Sequence, residues 1–391
     1  MKWINLFLLL SVLALFLLLN YYVGLRAYQG LSRLYPGLGQ VRLGYWVTFW
    51  LLSVSYLVGR FGSAWFPDWL NQTLSVIGSY WFAVFFYLLF VLLFLDLARL
   101  INRLAGNVLP AALTRPEWIT VAVMVLVGGT VLYGLWNARH PIVTRYEVTV
   151  AKPAGSMQSM RVVMVSDIHL GLIVHNGMLT RLVNMINEEH PDLVLFPGDL
   201  IDESVKPFVE QNMADNFQRI KSRYGSFASL GNHEYYSGHI DAIQHYLAEA
   251  GVTLLRDQAV TIAGGIVVAG RDDSTREQMT GKPNRVPLNE ILKNVDCSQP
   301  ILIMDHKPAR FAEAAAAGVD LQLSGHTHRG QLFPNGFMTQ RIFEQDWGMY
   351  RNGAFHAIVS CGYGTWGPPI RTGNRPEIVV ITIRFAVPEK S

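Results

Sequence analysis

Charge is scarce in this chain. Of its 391 residues only 16% are Asp, Glu, Lys or Arg, while 51% are hydrophobic. That balance is too apolar for an ordinary soluble protein, and the length accommodates a membrane part plus one sizeable domain. Acids are scarcest at the front. Up to Arg145 the carboxylates are Asp68, Asp96 and Glu117, against ten basic residues, so the remainder of the chain is slightly acidic although the formal net charge is +3. No lysine- and arginine-rich block offers an electrostatic footprint for nucleic acid, and no nucleic-acid partner is expected. Cysteine is nearly absent as well. Cys297 and Cys361 share no C-x-x-C spacing, which argues against thiolate zinc or thioredoxin-like chemistry; pairing and two free thiols both stay open. Internal repeats and low-complexity segments are also missing.

Long apolar runs are plentiful instead. Residues 3–23, 44–59, 80–97 and 118–136 approach or reach the roughly 20 residues needed to cross a bilayer, the second being the shortest. Lys2 ahead of the first run resembles the start of a signal peptide, but no small-x-small cleavage site follows, so a retained span is expected. Tyr21, Tyr22, Tyr45, Trp46, Tyr80, Trp81, Trp118 and Trp136 mark the span ends, where amphipathic rings suit the interface. Residues 64–70 read as an interfacial segment on the same logic. Arg26, Arg33 and Arg42 fall in the first loop and Arg99, Arg103 and Arg115 in the third, against Lys2, Arg60, Arg139 and Arg145 on the other side. Loops one and three are therefore expected in the cytoplasm, with both termini and the C-terminal domain outside. Among the spans only Asp96 is ionisable, and it sits near a span end, which favours an anchor over a transporter.

After Arg145 the pattern changes. Short β-branched runs at 161–166, 192–196 and 226–230 alternate with helical stretches at 177–188, 208–221 and 240–250, the alternation of an α/β sheet. A hairpin is expected over 260–270, and runs at 301–304, 320–324, 355–360 and 377–385 read as more antiparallel. The fold class that accounts for both is an N-terminal α-helical transmembrane bundle followed by an α/β domain, with two mixed β-sheets packed as a sandwich flanked by helices.

Residues of metal-ligand type stand directly after the strand-like runs. Asp167 and His169 follow the first, Asp199 and Asp202 the second, Asn232 and His233 the third. His306 follows the run at 301–304, and His326 and His328 follow the run at 320–324. Side chains at i and i+2 of an extended segment point the same way, so His326 and His328 can converge on one volume. Strand ends of an α/β sheet are where ligands bind. Carboxylate, amide oxygen and imidazole without thiolate suit manganese, iron or zinc. The count suits two ions about 3.5–4 Å apart sharing one carboxylate, an arrangement that clamps both oxygens of an in-line phosphoryl displacement.

These motifs, Asp167-x-His169, Gly198-Asp199-x-x-Asp202, Gly231-Asn232-His233-Glu234, the lone His306 and Gly325-His326-x-His328, resemble the calcineurin-like metallophosphoesterase superfamily, with no element missing. The resemblance covers roughly residues 161–385. The preceding spans look like the membrane-anchored bacterial branch. It implies that one metal takes Asp167, His169, Asp199 and His328, and the other takes Asp199, Asn232, His306 and His326, with Asp199 bridging. It further implies attack on phosphorus by a hydroxide held between the ions, with His233 at the leaving oxygen and Asp202 orienting it as the second member of the catalytic pair. The cofactors would be two divalent ions, manganese foremost, with iron or zinc also accommodated.

The whole reads as a transmembrane anchor of about four helices over 1–138, a linker over 139–150 and a metallophosphoesterase catalytic domain over 151–388. Its expected activity is that of a phosphodiesterase or pyrophosphatase in a bacterial plasma membrane, acting on a phospho-substrate that is lipid- or envelope-linked. The alternative is a non-catalytic metal-binding membrane sensor or scaffold, against which the His233–Asp202 pair speaks. Arg329, beside His328, and Arg371 are candidate substrate contacts, since guanidinium suits bidentate phosphate binding. Trp366 and Asn374 lie in a Gly/Pro-rich loop that could wall a pocket. Arg271, Asp272, Asp273 and Arg276 read as a solvated loop, and Glu234 is not expected to bind metal.

Overall fold

The computed structural model describes residues 2–62, 65–110, 114–281 and 285–387. The chain divides into two compact units, residues 1–135 with 367–369, and residues 136–366 with 370–391.

The first unit is helical. Helices α1 (Lys2–Leu34), α2 (Arg42–Phe61), α3 (Asp68–Leu104) and α4 (Pro116–Ala138) are all long and apolar enough to cross a membrane. Their exposed surface is largely Leu, Val and Phe, as expected of helices that face lipid rather than water. Val23, Phe49 and Leu92 join α1, α2 and α3 in a small cluster, with Trp46 and Trp81 packed against it. Trp65 and Trp69 are exposed, in keeping with the interfacial reading of that segment, and Ala64 lies outside the described residues.

The second unit contains two six-stranded sheets. The first has the order β1 (Ile142–Pro153), β12 (Glu377–Ala386), β2 (Ser159–Met164), β3 (Leu193–Pro197), β4 (Ser226–Ser229), β5 (Val252–Leu254). In the second the order is β10 (Gly348–Asn352), β11 (Phe355–Val359), β9 (Leu321–Ser324), β8 (Ile301–Met304), β7 (Val267–Gly270), β6 (Gln258–Thr261). Alternation along each strand sorts its side chains. Val162, Leu193 and Leu195 of one sheet share a core with Leu302, Met304, Leu321 and Leu323 of the other. Val163 and Val194 face the opposite way, into a layer that includes Leu179, Leu182, Val183 and Ile186 of helix α5 (Asn176–Glu188). Val267, Ala269, Ile301 and Ile303 cover the outer face of the second sheet together with Phe311 and Ala314. Strands buried on both faces explain why their sequences are nearly continuous apolar runs.

Three local expectations change, and one strand appears that no apolar run announces. Most of the stretch 139–150 is not a linker: Ile142–Pro153 is β1, paired in parallel with β12 from Ile142↔Glu377 onward. Its alternation of apolar and polar residues is that of an edge strand with one covered face. The helix expected over 208–221 is two short pieces, Lys206–Glu210 and Ala214–Phe217. The later strands are mainly parallel, since β7, β8, β9 and β11 run in one direction and only β6 and β10 oppose them. Finally, β10 had no clear apolar run to announce it, because only Gly348 of its five residues is buried.

Candidate metal centre

Each motif residue leaves the end of a parallel strand. Asp167 and His169 follow β2, Asp199 and Asp202 follow β3, and Asn232 and His233 follow β4. The second sheet contributes His306 after β8 and His326 and His328 after β9. The backbone bends sharply at these places. Asp167, His169, Asp199, His326 and His328 all have positive φ, between 46° and 70°. Such conformations cost on the order of 1–3 kcal/mol each for a residue with a side chain, and they persist where the surroundings impose them, most often at functional sites. Close approach adds a second constraint. A Cβ on Gly325 would lie 2.1 Å from Asp167 Oδ2, and one on Gly231 would lie 2.2 Å from Asp199 Oδ1. Only glycine admits the carboxylates at those two points.

Three groups result whose ligand atoms lie within 4.8 Å of one another: Asp167, His169 and His328; His169, Asp199 and His233; Asp199, His306 and His326. Asp199 connects them. Its Oδ2 is 3.9 Å from His169 Nε2 and 3.1 Å from His306 Nε2, while its Oδ1 accepts from His233 N at 2.9 Å. His169 Nε2 and His328 Nε2 are 3.0 Å apart. Two nitrogens bound at right angles to one ion, at roughly 2.1 Å each, would be about 3 Å apart. His306 Nδ1 lies 2.8 Å from Pro197 O, and His306 Nε2 has no hydrogen-bond partner. That contact fixes the ring so that Nε2 presents its lone pair, the usual arrangement behind a ligating histidine. Asn232 Oδ1 is likewise buried without a partner. An orphaned amide oxygen, an orphaned imidazole nitrogen and two buried carboxylates fit divalent cations well.

The electrostatics have the same character. Burial lifts Asp167 above the ordinary carboxylate range, and the Asp199 charge adds to that. Burial also opposes ionisation of Asp199, but the charges of His306, His233 and His169 hold it well below its usual value. Against burial, Asp199 and Asp167 raise His306 to about 10. The carboxylates thus draw positive charge onto an imidazole, a demand that a divalent ion also meets, with release of that proton. Burial and the His306 charge push His326 down to about 3. Burial, His169 and Arg371 keep His328 well below its usual value. The imidazoles of His326 and His328 are therefore both neutral, as a metal would require of them.

Residues 160–330 match the profile of the calcineurin-like phosphoesterase family. An uncharacterized metallophosphoesterase of Aquifex aeolicus is 36% identical over 245 residues, which is 62% of this chain and 91% of that protein. The chain belongs to the calcineurin-like metallophosphoesterases. A transmembrane protein with metallophosphoesterase domain from Danio rerio is 30% identical over 338 residues, 82% of this chain and 75% of that one. That alignment is too long to be confined to the second unit, which fits the membrane-anchored form of the family. A solved dimetal phosphatase from Danio rerio aligns at 12% identity with a TM-score of 0.32, over 53% of this chain and 88% of that chain. This metallophosphoesterase is a hydrolase of phosphoester bonds, in a family whose members depend on paired metal ions.

His233 and Asp202 stand beside the cluster. His233 Nδ1 is 2.8 Å from Asp202 Oδ1, and its ring packs edge-on against His169. Burial lowers His233, yet the Asp199 charge and the bond to Asp202 raise it to about 9. Asp202 has a side chain 36% exposed and is held low in turn, burial being outweighed by hydrogen bonds to His169 and His233. Trp366 is exposed with its ring 6.1 Å from that of His233, and Gln331 clamps its backbone with a pair of 3.0 Å bonds.

The two arginines part company. Arg329, next to His328 in sequence, is half-buried and stacks on Trp347, its guanidinium carbon 4.1 Å from the ring centroid. Arg371 is not on the open side. It is 0% exposed, its Nε and Nη2 donate to Gly364 O, and Nη2 lies 3.2 Å from His328 Nδ1. It stands behind His328, where it holds the ring in place. Asn374 joins it there, donating to His328 O at 2.6 Å.

Two further expectations change. Arg271, Asp272 and Asp273 are buried, not solvated. Asp272 pairs with Arg256 and Arg276, Asp273 with Lys307, and Arg271 with Glu313. Charges enter a core only when paired, and nothing in the local sequence announces those distant partners. Sequence reasoning also assigned no task to Glu234. Its Oε2 accepts from Asp199 N and Gly231 N, and its Oε1 from Ile201 N. The carboxylate thereby ties the turn after β3 to the turn after β4. Cys297 is an exposed free thiol and Cys361 a buried one.

Proposed function

We propose that this chain is a dinuclear phosphodiesterase or pyrophosphatase whose substrate is carried by a membrane lipid. The observation that carries the two-ion reading is the position of Asp199 Oδ2 between His169 of one ligand group and His306 of the other. Asp167, His169, Asp199 and His328 would hold one ion, and Asp199, Asn232, His306 and His326 the second. The thiolate-free set of three oxygen donors and four imidazoles accommodates manganese, iron or zinc, and manganese is the ion proposed. When bound, two such ions supply a water ionised near neutral pH and Lewis acidity toward phosphoryl oxygens.

The side chains do the rest. His233 bonds Asp202 through Nδ1, so the proton available for transfer sits at Nε2, on the side away from Asp202. That proton goes to the leaving oxygen as the phosphorus–oxygen bond breaks, in general-acid fashion. Asp202 is a positioning residue that fixes the ring and favours its protonated form. Arg329, held by Trp347, offers a guanidinium to a non-reacting phosphate oxygen.

Two features support a lipid substrate. The four apolar helices keep the domain at a bilayer, which raises the local concentration of anything anchored there. Phe333, Phe337, Met338 and Ile342, a few residues after His328 and Arg329, are large apolar side chains left 57–68% exposed, a grouping suited to contact with an apolar phase. The excess of arginine in loops one and three supports their cytoplasmic placement and an extracytoplasmic hydrolase, with residues 1–138 as anchor.

The test is hydrolysis of bis(p-nitrophenyl) phosphate by the manganese-loaded full chain beside His233→Ala. A loss of about 10²- to 10⁴-fold in kcat, with metal content intact, is the expected result. Equal rates in the two proteins would overturn the assignment of His233.

A further inference from the structure

The helical unit contains a cavity that the hydrolytic chemistry does not use. Its volume is about 900 Å³, within the range of sites that enclose small molecules. It lies among the C-terminal parts of α1 and α3 and the N-terminal part of α4. Helices α1 and α4 approach closely at its wall, where a Cβ on Gly30 would be 2.8 Å from Thr120 Oγ1.

The lining has two chemistries. Arg26, Arg33, Arg99 and Arg103 contribute four guanidinium groups, and Asp96 is the one carboxylate among them. That carboxylate is already engaged. Its Oδ2 accepts from Tyr22 Oη at 2.8 Å and from Arg26, and its Oδ1 accepts from Arg99 Nη1 at 2.9 Å. Asp96 thus orders two of the arginines and neutralises a single charge, which leaves the wall strongly positive. Among the described residues, Arg33 and Arg103 have no carboxylate within ion-pairing distance. Leu92, Leu95, Ile119 and Val123 form the apolar part.

The two parts are arranged along the helices. Arg33 and Arg103 are in the last turns of α1 and α3, whereas the apolar lining reaches inward to Leu88. From Arg103 to Leu88, α3 rises about 22 Å. One leaflet of a bilayer with its headgroups is roughly 20–22 Å deep. A soluble anion would leave the apolar wall unused, and a neutral hydrophobe would leave four guanidinium groups without a counter-charge. Basic pockets between spanning helices are suited to acidic lipid headgroups.

We propose that this cavity binds one anionic glycerophospholipid. The phosphate sits among Arg26, Arg33, Arg99 and Arg103, and an acyl chain lies along Leu92, Leu95, Ile119 and Val123. The site is distinct from the metal ligands and independent of what they hydrolyse.

The full chain, delipidated in detergent, is titrated with phosphatidylglycerol, phosphatidylcholine and inorganic phosphate, and adducts are counted by native mass spectrometry. The wild type is expected to take up one phosphatidylglycerol in preference to phosphatidylcholine. Arg33→Ala/Arg103→Ala should weaken that binding about 25-fold, roughly fivefold for each arginine, while metal-dependent hydrolysis of bis(p-nitrophenyl) phosphate persists and reports an intact fold. Asp199→Ala should bind the lipid as the wild type does. Equal binding of the two lipids, or an unchanged affinity in the double arginine variant, would overturn the proposal. Inorganic phosphate binding as tightly as phosphatidylglycerol, with the same sensitivity to the arginines, would overturn it in favour of a soluble anion.

Discussion

At His233 two carboxylates compete with burial for one proton. Burial favours the neutral ring, while Asp199 and Asp202 favour the imidazolium and raise its pKa to about 9. A general acid works in its protonated form, so the rate should fall as pH rises through the His233 pKa. Replacing Asp202 by Asn removes an opposite charge at hydrogen-bond distance, which lowers that pKa. The basic limb of the pH–rate profile of Asp202→Asn should therefore move to lower pH, by about 1–3 units, and a limb that stays put would show that Asp202 does not act through His233. The residues of this site differ in how legible they were. The residues that the strand ends gather, His233 among them, could be read because each stands at a short fixed distance from an apolar run. The tasks of Glu234 and Arg371 could not, since both act on backbone or rings brought near only by folding: Glu234 on Asp199 N, Arg371 on Gly364 O and His328. The same holds for the buried pairs of Asp272 and Asp273, whose partners Arg256 and Lys307 are remote in sequence.

Among the elements, β1 has the clearest consequence. Its place was hidden by Arg139, His140 and Pro141 just ahead of it, which read as a break, although the alternation from Val143 to Val150 was there to see. It covers one side of β12, whose first eight residues include Ile378, Val379, Val380, Ile381 and Ile383, all buried. A soluble fragment beginning at residue 151 would lose Val148 and Val150, each worth about 1.5–3 kcal/mol of burial at most, and would expose β12 as an apolar edge prone to association. A fragment beginning at residue 139 should be monomeric and melt cooperatively, and one beginning at 151 should aggregate or melt at markedly lower temperature. Equal melting of the two, followed by circular dichroism and gel filtration, would show that β1 is dispensable. The sheets themselves were legible as apolar runs, but their direction was not. A run buried on both faces has no alternation, and parallel and antiparallel neighbours look alike until the crossovers are seen.

Over the whole molecule two environments divide the chemistry. The helical unit carries arginine excess and apolar surface, and the sheet unit carries the carboxylates and imidazoles. The central claim concerns the second: five strand ends deliver ligands to two ions that share Asp199. The most direct test is the number of manganese ions retained per chain after gel filtration, measured by elemental mass spectrometry on the wild-type chain and on Asp199→Ala. Two ions per wild-type chain, with both sites depleted by the single substitution, is the result expected of a shared carboxylate. One ion in the wild type, or two still held by Asp199→Ala, would contradict it.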